Sequence, residues 1–179
     1  MSTPQRIPKA QEKQSTDLRD YQHIVVVFGT RYWEDRRVFH EEVMDLIESL
    51  DGEPLIFLSG GATTGADDLI IRWCKKFRYP FEIYEADWDK NGKAAGFLRN
   101  TEMAKVATRG LGFWDGKSNG TRQMIQELNY YEVSHKIIRI DELPDYPKRI
   151  LPRPQKRYPN NGYVQQTERR AEVPQAHLR

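Results

Sequence analysis

Residues suited to chemistry gather in four short segments. The most informative is Ser59-Gly60-Gly61-Ala62-Thr63-Thr64-Gly65-Ala66-Asp67-Asp68. Three glycines and three small hydroxyl residues lie there between an apolar run and a segment of helical spacing. Backbone N–H groups in such a turn can face an anion, helped by the positive end of the helix that follows. The pattern is not a P-loop, because no Gly-Lys-Ser/Thr follows, nor the dinucleotide GxGxxG. A tight turn alone would also need glycines; the strand-to-helix position is what favours a ligand. Asp67 and Asp68 suit a helix N-terminus but repel a neighbouring phosphate. The two facts agree if the loop backbone holds phosphate while Asp67 accepts a bond from a ribose hydroxyl. The plain alternative is that both are first-turn helix residues.

The other three segments have similar chemistry. Gly29-Thr30-Arg31 follows an apolar run, and the Arg31 guanidinium can grip phosphate through two hydrogen bonds. Arg31 could instead pair with Glu34 or Asp35, and Asp35 can cap the next helix. Residues 87–100 read as a long polar connection, with Trp88 able to stack on a base or cover the core edge. Arg99 and Asn100 then sit near the start of a helix marked by Met103, Val106 and Ala107. Asp115-Gly116-Lys117-Ser118-Asn119-Gly120-Thr121 is a second Gly/Ser/Thr turn, with Asn119 or Thr121 as the cap. The expected ligand-binding set is Gly29, Arg31, Ser59, Gly60, Gly61, Gly65, Asp67, Trp88, Arg99, Asn100, Asp115, Gly116, Ser118, Gly120 and Thr121. Asp67, Arg99 and Asp115 are the catalytic candidates. His23, His40, His135 and His177 lack metal-ligand spacing, so neither a metal nor a cofactor is expected.

These segments need elements to hold them. Apolar runs occur at 23–28, 55–58, 81–86, 111–114 and 136–140. The run Ile24-Val25-Val26-Val27-Phe28 has no polar alternation, which means burial on both faces, as in a central parallel strand. Val38, Val43, Leu46, Ile47 and Leu50 form one helical stripe. Leu69, Ile70, Trp73 and Phe77 form a second, and Met124, Ile125 and Leu128 a third. Strand alternating with helix predicts an α/β fold: a Rossmann-like, doubly wound, mainly parallel five-stranded sheet with helices on both faces. In such a sheet ligands bind at the carboxyl ends of the strands, which is where all four segments fall.

The 179 residues suit one domain. No run approaches the ~20 apolar residues of a membrane span, so no membrane partner is expected. The one cysteine, Cys74, excludes an internal disulfide framework and a Cys-based zinc site. A cytoplasmic, reducing location follows as an expectation. Net charge is only +2, but from Lys148 onward eight basic residues face two acids, and six of ten prolines fall between Pro144 and Pro174. The expected division is a disordered arm at 1–20, a core at 21–143 and a Pro-rich basic tail at 144–179.

The motifs resemble a known family. Phe28-Gly29-Thr30-Arg31, Ser59-Gly60-Gly61-Ala62 with Gly65-Ala66-Asp67, and Ala86-Asp87-Trp88 come first. Gly92-Lys93-Ala94-Ala95-Gly96, Arg99-Asn100-x-x-Met103 and Phe113-Trp114-Asp115-Gly116-x-Ser118-x-Gly120-Thr121 follow in order. Together they look like the YspA-like, cpYpsA-related branch of the SLOG superfamily of bacteria and phages, distantly similar to LOG phosphoribohydrolases and DprA. The resemblance implies a Rossmann-like sheet and a site for nucleotides or nucleotide-derived molecules. Arg99-Asn100-x-x-Met103 is similar to the LOG Arg-Lys-x-x-Met, but Met124 stands where the LOG pattern has its catalytic Glu. Three functions follow as expectations. The first is binding of a nucleotide or nucleotide-derived ligand. The second is cleavage of a nucleotide N-glycosidic bond. The third is DprA-like nucleic-acid binding through the basic tail, which could otherwise contact a protein. Homo-oligomerisation is a further expectation.

Overall fold

The computed structural model describes residues 16–144. The expected tail beyond residue 144 and the first fifteen residues of the expected arm lie outside them. The core begins earlier than residue 21. Leu18–Asp20 form a 3-10 turn capped by Asp17, whose side chain accepts from the Arg19 N–H, and Leu18 packs on the core.

The elements follow in order as β1 (His23–Gly29), α1 (Arg36–Glu48), β2 (Leu55–Ser59), α2 (Ala66–Phe77) and β3 (Phe81–Ile83). Then come α3 (Trp88–Asn91), α4 (Ala95–Val106), β4 (Arg109–Trp114), α5 (Asn119–Tyr130) and β5 (Ser134–Arg139). The five strands form one sheet in the order β3-β2-β1-β4-β5, and every pairing is parallel. The doubly wound α/β reading holds. No helix among the described residues is long and apolar enough to cross a membrane.

The continuous apolar run of β1 has the expected cause. Val25 and Val27 point into a core built with Phe39, Val43 and Ile47 of α1 and Ile70 and Trp73 of α2. Ile24, Val26 and Phe28 point to the opposite face, against Met103 of α4 and Met124 and Leu128 of α5. Alternate side chains leave a strand on opposite faces, so a strand covered by helices on both sides cannot carry a polar face.

Two local expectations change. The segment after β3 is not a loop: the Asp87 side chain accepts from the Lys90 N–H at 2.9 Å and caps α3, and a 3-10 turn at Gly92–Ala94 leads into α4. Arg99 and Asn100 therefore lie a full turn inside α4. At α5 the cap is Ser118, whose hydroxyl accepts from the Thr121 N–H; the Thr121 hydroxyl in turn donates to Ser118 Oγ. Asp35 caps α1 as expected, accepting from the N–H groups of Arg37 and Val38.

Aromatic packing joins β4 to the turn after β1. The Phe113 ring stacks on Trp33 at 4.9 Å and on Phe39 at 5.0 Å between centroids, and Phe113 has no exposed surface. Phe113→Ala should cost about 3–5 kcal/mol, the range for emptying a buried aromatic site. Urea denaturation of both proteins measures this. A loss below ~1 kcal/mol would mean that the stack relaxes without it.

Candidate functional site

Every strand is parallel, so the turns that leave their carboxyl ends share one edge. Order reverses between β1 and β4: β1 leads out to β2 and β3 on one side, β4 to β5 on the other. A cleft of about 400 Å³ opens there.

Its first wall is the turn after β1. The Thr30 N–H donates to the Phe113 carbonyl at 2.8 Å, carrying the β1–β4 ladder past the strand end. Gly29 permits this, because a side chain there would drive into that same carbonyl. The Thr30 hydroxyl accepts from the Asp115 N–H at 3.2 Å. Arg31 stands exposed at the mouth. No ion pair or hydrogen bond ties it to Glu34 or Asp35, which sets aside that pairing.

The second wall follows β2. Gly60, Ala62 and Asp67 line the cleft. Ser59 braces this turn from behind: its hydroxyl donates to the Asp67 carbonyl at 3.1 Å and accepts from the Gly61 N–H at 3.2 Å. Gly65 has φ +71°, and a side chain there would overlap the Thr30 carbonyl and Arg31 Cα. Only glycine lets the start of α2 press on the β1 turn. Asp67 is 9% exposed, and its Oδ2 accepts from the Ala62 N–H at 3.1 Å.

The third wall comes from α4 and from the turn between β4 and α5. Arg99 donates through Nη1 to the carbonyls of Gly60 and Tyr84 and through Nε to Asn100 Oδ1. Asn100 then donates to Gln123 Oε1 at 2.8 Å and to the Gly120 carbonyl. Arg99 and Asn100 thus bind the β2 turn, the end of β3 and the start of α5 into one frame. Asp115 Oδ1 accepts from the N–H groups of Lys117 and Ser118, so this carboxylate shapes its own loop.

Ten expected site residues meet at the cleft: Gly29, Arg31, Gly60, Asp67, Arg99, Asn100, Asp115, Ser118, Gly120 and Thr121. Ser59, Gly61, Gly65 and Gly116 stand behind it. Trp88 lies outside it, half-buried at the start of α3, with its ring over Gly96, so base stacking by Trp88 has no geometric support. The cleft also includes residues not expected: Phe28, Thr30, Tyr32, Ala62, Met103, Lys117 and Met124. Their signal was positional: Phe28 and Thr30 flank Gly29, and Met103 lies one helical turn after Arg99.

The chain is similar to the Gene 61 protein of Mycobacterium phage D29: 38% identical over 111 residues, which cover 58% of this chain and 86% of that protein. The chain belongs to the Gene 61 protein family. No family model matches, and no solved structure does. Gene 61 kinship places the fold in phages and names no ligand.

One buried and one part-buried charge set the electrostatics. Burial pushes the Asp67 carboxyl above its ordinary value, while the Arg99 charge, the Ala62 N–H and Arg31 partly oppose the rise. Burial pulls the Arg99 guanidinium below its ordinary value, against the upward influence of Asp67 and helped by Arg31. Folded Asp67 thus holds its proton more tightly than the unfolded chain does. Stability should rise as pH falls through its titration and be gained in full below the ordinary value of 3.8. Asp67→Asn, neutral throughout, should melt above wild type at neutral pH, with the gap closing on acidification. Wild type melting higher at neutral pH would mean that the guanidinium groups outweigh burial. Arg99→Ala should cost about 1–3 kcal/mol by chemical denaturation, because it strips a charged donor from two part-buried carbonyls. Arg99→Lys should recover only part, since an ammonium lacks the planar fork. An unchanged midpoint for Arg99→Ala would mean that Arg99 braces nothing.

Proposed function

We propose that this Gene 61 family protein binds a nucleotide or nucleotide-derived small molecule in the β1/β4 cleft. One observation carries the reading. Glycine-bearing turns after β1, β2 and β4 converge on one cleft, with polar walls and an apolar floor, where the strand order reverses. Open α/β sheets bind ligands at that point because two neighbouring turns diverge there and leave a crevice. The resemblance to the SLOG superfamily supports the same ligand class. Work in the cytoplasm suits the free, buried Cys74, whose thiol burial pushes well above its ordinary value.

Binding is favoured over N-glycosidic cleavage by the cleft floor. Phe28, Met103 and Met124 form it, and the two methionines are each 1% exposed. The LOG pattern sets a Glu carboxylate against the oxocarbenium-like sugar, and in this chain Met124 stands at that position. The floor offers a flat apolar group a dry surface instead.

Phosphate recognition falls to Arg31. Arg99 has committed its Nε and Nη1 to the protein, whereas Arg31 is exposed at the mouth without an ion pair among the described residues. Arg31→Ala should weaken a nucleoside monophosphate by roughly ten- to hundredfold, as loss of a charged hydrogen bond does. The matching nucleoside should change little. Mass spectrometry of small molecules released from the purified protein should identify the base, and calorimetry with both ligand forms should give the ratio. Equal losses for nucleotide and nucleoside would remove Arg31 as the phosphate reader. Absence of any nucleotide, copurified or added, would count against the function itself.

A further inference from the structure

We infer that Asp67 selects ribonucleotides over their deoxy counterparts by accepting a hydrogen bond from a sugar hydroxyl; this rests on the nucleotide-binding reading above. Asp67 is a carboxylate nine-tenths buried that lines the cleft. The Ala62 N–H satisfies Oδ2. Oδ1 accepts no hydrogen bond from the described residues and is not among the buried atoms left unpartnered, so it is open to the cleft. The nearby guanidinium groups do not fill this gap. Arg99 directs Nη1 at the Gly60 and Tyr84 carbonyls and Nε at Asn100, and neither it nor Arg31 hydrogen-bonds the carboxylate. The open oxygen is therefore free to take a donor from a ligand in place of water.

The placement says which donor. Asp67 stands on the α2 side of the sheet, near Arg31 and Arg99, whose charges act on it. The apolar floor of Phe28, Met103 and Met124 belongs to the face covered by α4 and α5. A ligand spanning the cleft puts its flat apolar part on that floor and its anionic part beside Arg31, which follows β1 at the mouth. Between them it must present a donor close to the anion. In a nucleoside 5′-monophosphate that position belongs to the sugar, whose 2′- and 3′-hydroxyls can each donate. A base amine lies at the far end, over the floor. A site that hydrogen-bonds a hydroxyl rejects the analogue lacking it, because its own polar group is left unpaired.

The test uses the full-length protein and the 5′-monophosphates of adenosine, guanosine, cytidine and uridine, each with its 2′-deoxy and 3′-deoxy counterparts. Calorimetry gives each affinity for wild type and for Asp67→Asn, which keeps an oxygen for the Ala62 N–H. For the nucleotide that binds wild type best, removal of the 2′- or the 3′-hydroxyl should weaken binding roughly ten- to hundredfold. In Asp67→Asn the same pair should differ by only about threefold or less, because the charged acceptor is gone. A merely structural role for Asp67 would lower all affinities together and leave the ratio intact. Equal binding of ribo and deoxy forms to wild type, or a ratio retained in Asp67→Asn, overturns the inference and leaves nucleotide binding standing. Failure of every nucleotide to bind overturns the nucleotide reading and the inference with it.

Discussion

Pairing of β1 with β4 is the constraint on which the rest of the molecule depends. β1 is the middle strand, and its register with β4 runs from Val25↔Arg109 to Gly29↔Phe113. The ladder does not stop with the strand: the Thr30 N–H reaches the Phe113 carbonyl, and the Thr30 hydroxyl receives the Asp115 N–H. Two turns that must diverge to form a crevice are thus tied together at its base. Gly29 is required there because the neighbouring carbonyl occupies the space of a side chain. The Trp33–Phe113–Phe39 stack fixes the same junction from the other side of the backbone.

Within that frame the cleft manages a charge problem. Arg99 is a cation in a wall from which water is largely removed, and it would be unstable there without acceptors. Backbone carbonyls and Asn100 supply them. This choice leaves the Asp67 carboxylate with the Ala62 N–H but without a guanidinium partner, so carboxylate and guanidinium act on each other only through space. A tight ion pair would have closed the cleft; separate partners keep it open. The frame that Arg99 and Asn100 build is therefore the reason that the β2 turn, the end of β3 and α5 can surround an open space.

Much of this was legible in the sequence, and the misses share one cause. The β-branched run at 24–28 and the helical stripes are signals of local periodicity, and burial on both faces leaves no other reading of β1. Asp35 as a cap was legible because a short acceptor stood immediately before a periodic segment. Ser118 was passed over for Asn119 and Thr121, since three adjacent residues could each cap and only the backbone at the turn decides among them. α3 was missed because four residues carry too little periodicity, although Asp87 is a fitting cap. Phe28, Met103 and Met124 resemble ordinary core residues, and they are core residues; that the core surfaces there depends on how far the turns diverge. The bracing role of Arg99 was hidden because its acceptors, Gly60 and Tyr84, lie 39 and 15 residues away in sequence.

The two faces of the sheet differ in stiffness, and the cleft draws on both. The α1/α2 face is dense with rings: Phe57, Trp73, Phe77 and Tyr79 meet at 4.7–6.0 Å between centroids, and the Trp73 indole N–H donates to His40 Nδ1. Rings have few torsions, so this face is rigid, and it carries the β2 turn with Asp67 and the β1 turn with Arg31. The α4/α5 face meets the cleft through Met103 and Met124. Methionine has three rotatable bonds and a polarizable sulfur, and it fits itself to irregular neighbours. A site built this way holds its polar groups at fixed positions, where a misplacement would cost a hydrogen bond. It lets the apolar floor adapt, where contact is not directional. For the nucleotide proposed above, this arrangement would concentrate selectivity on the sugar and phosphate side and leave the floor to accept flat groups of more than one outline.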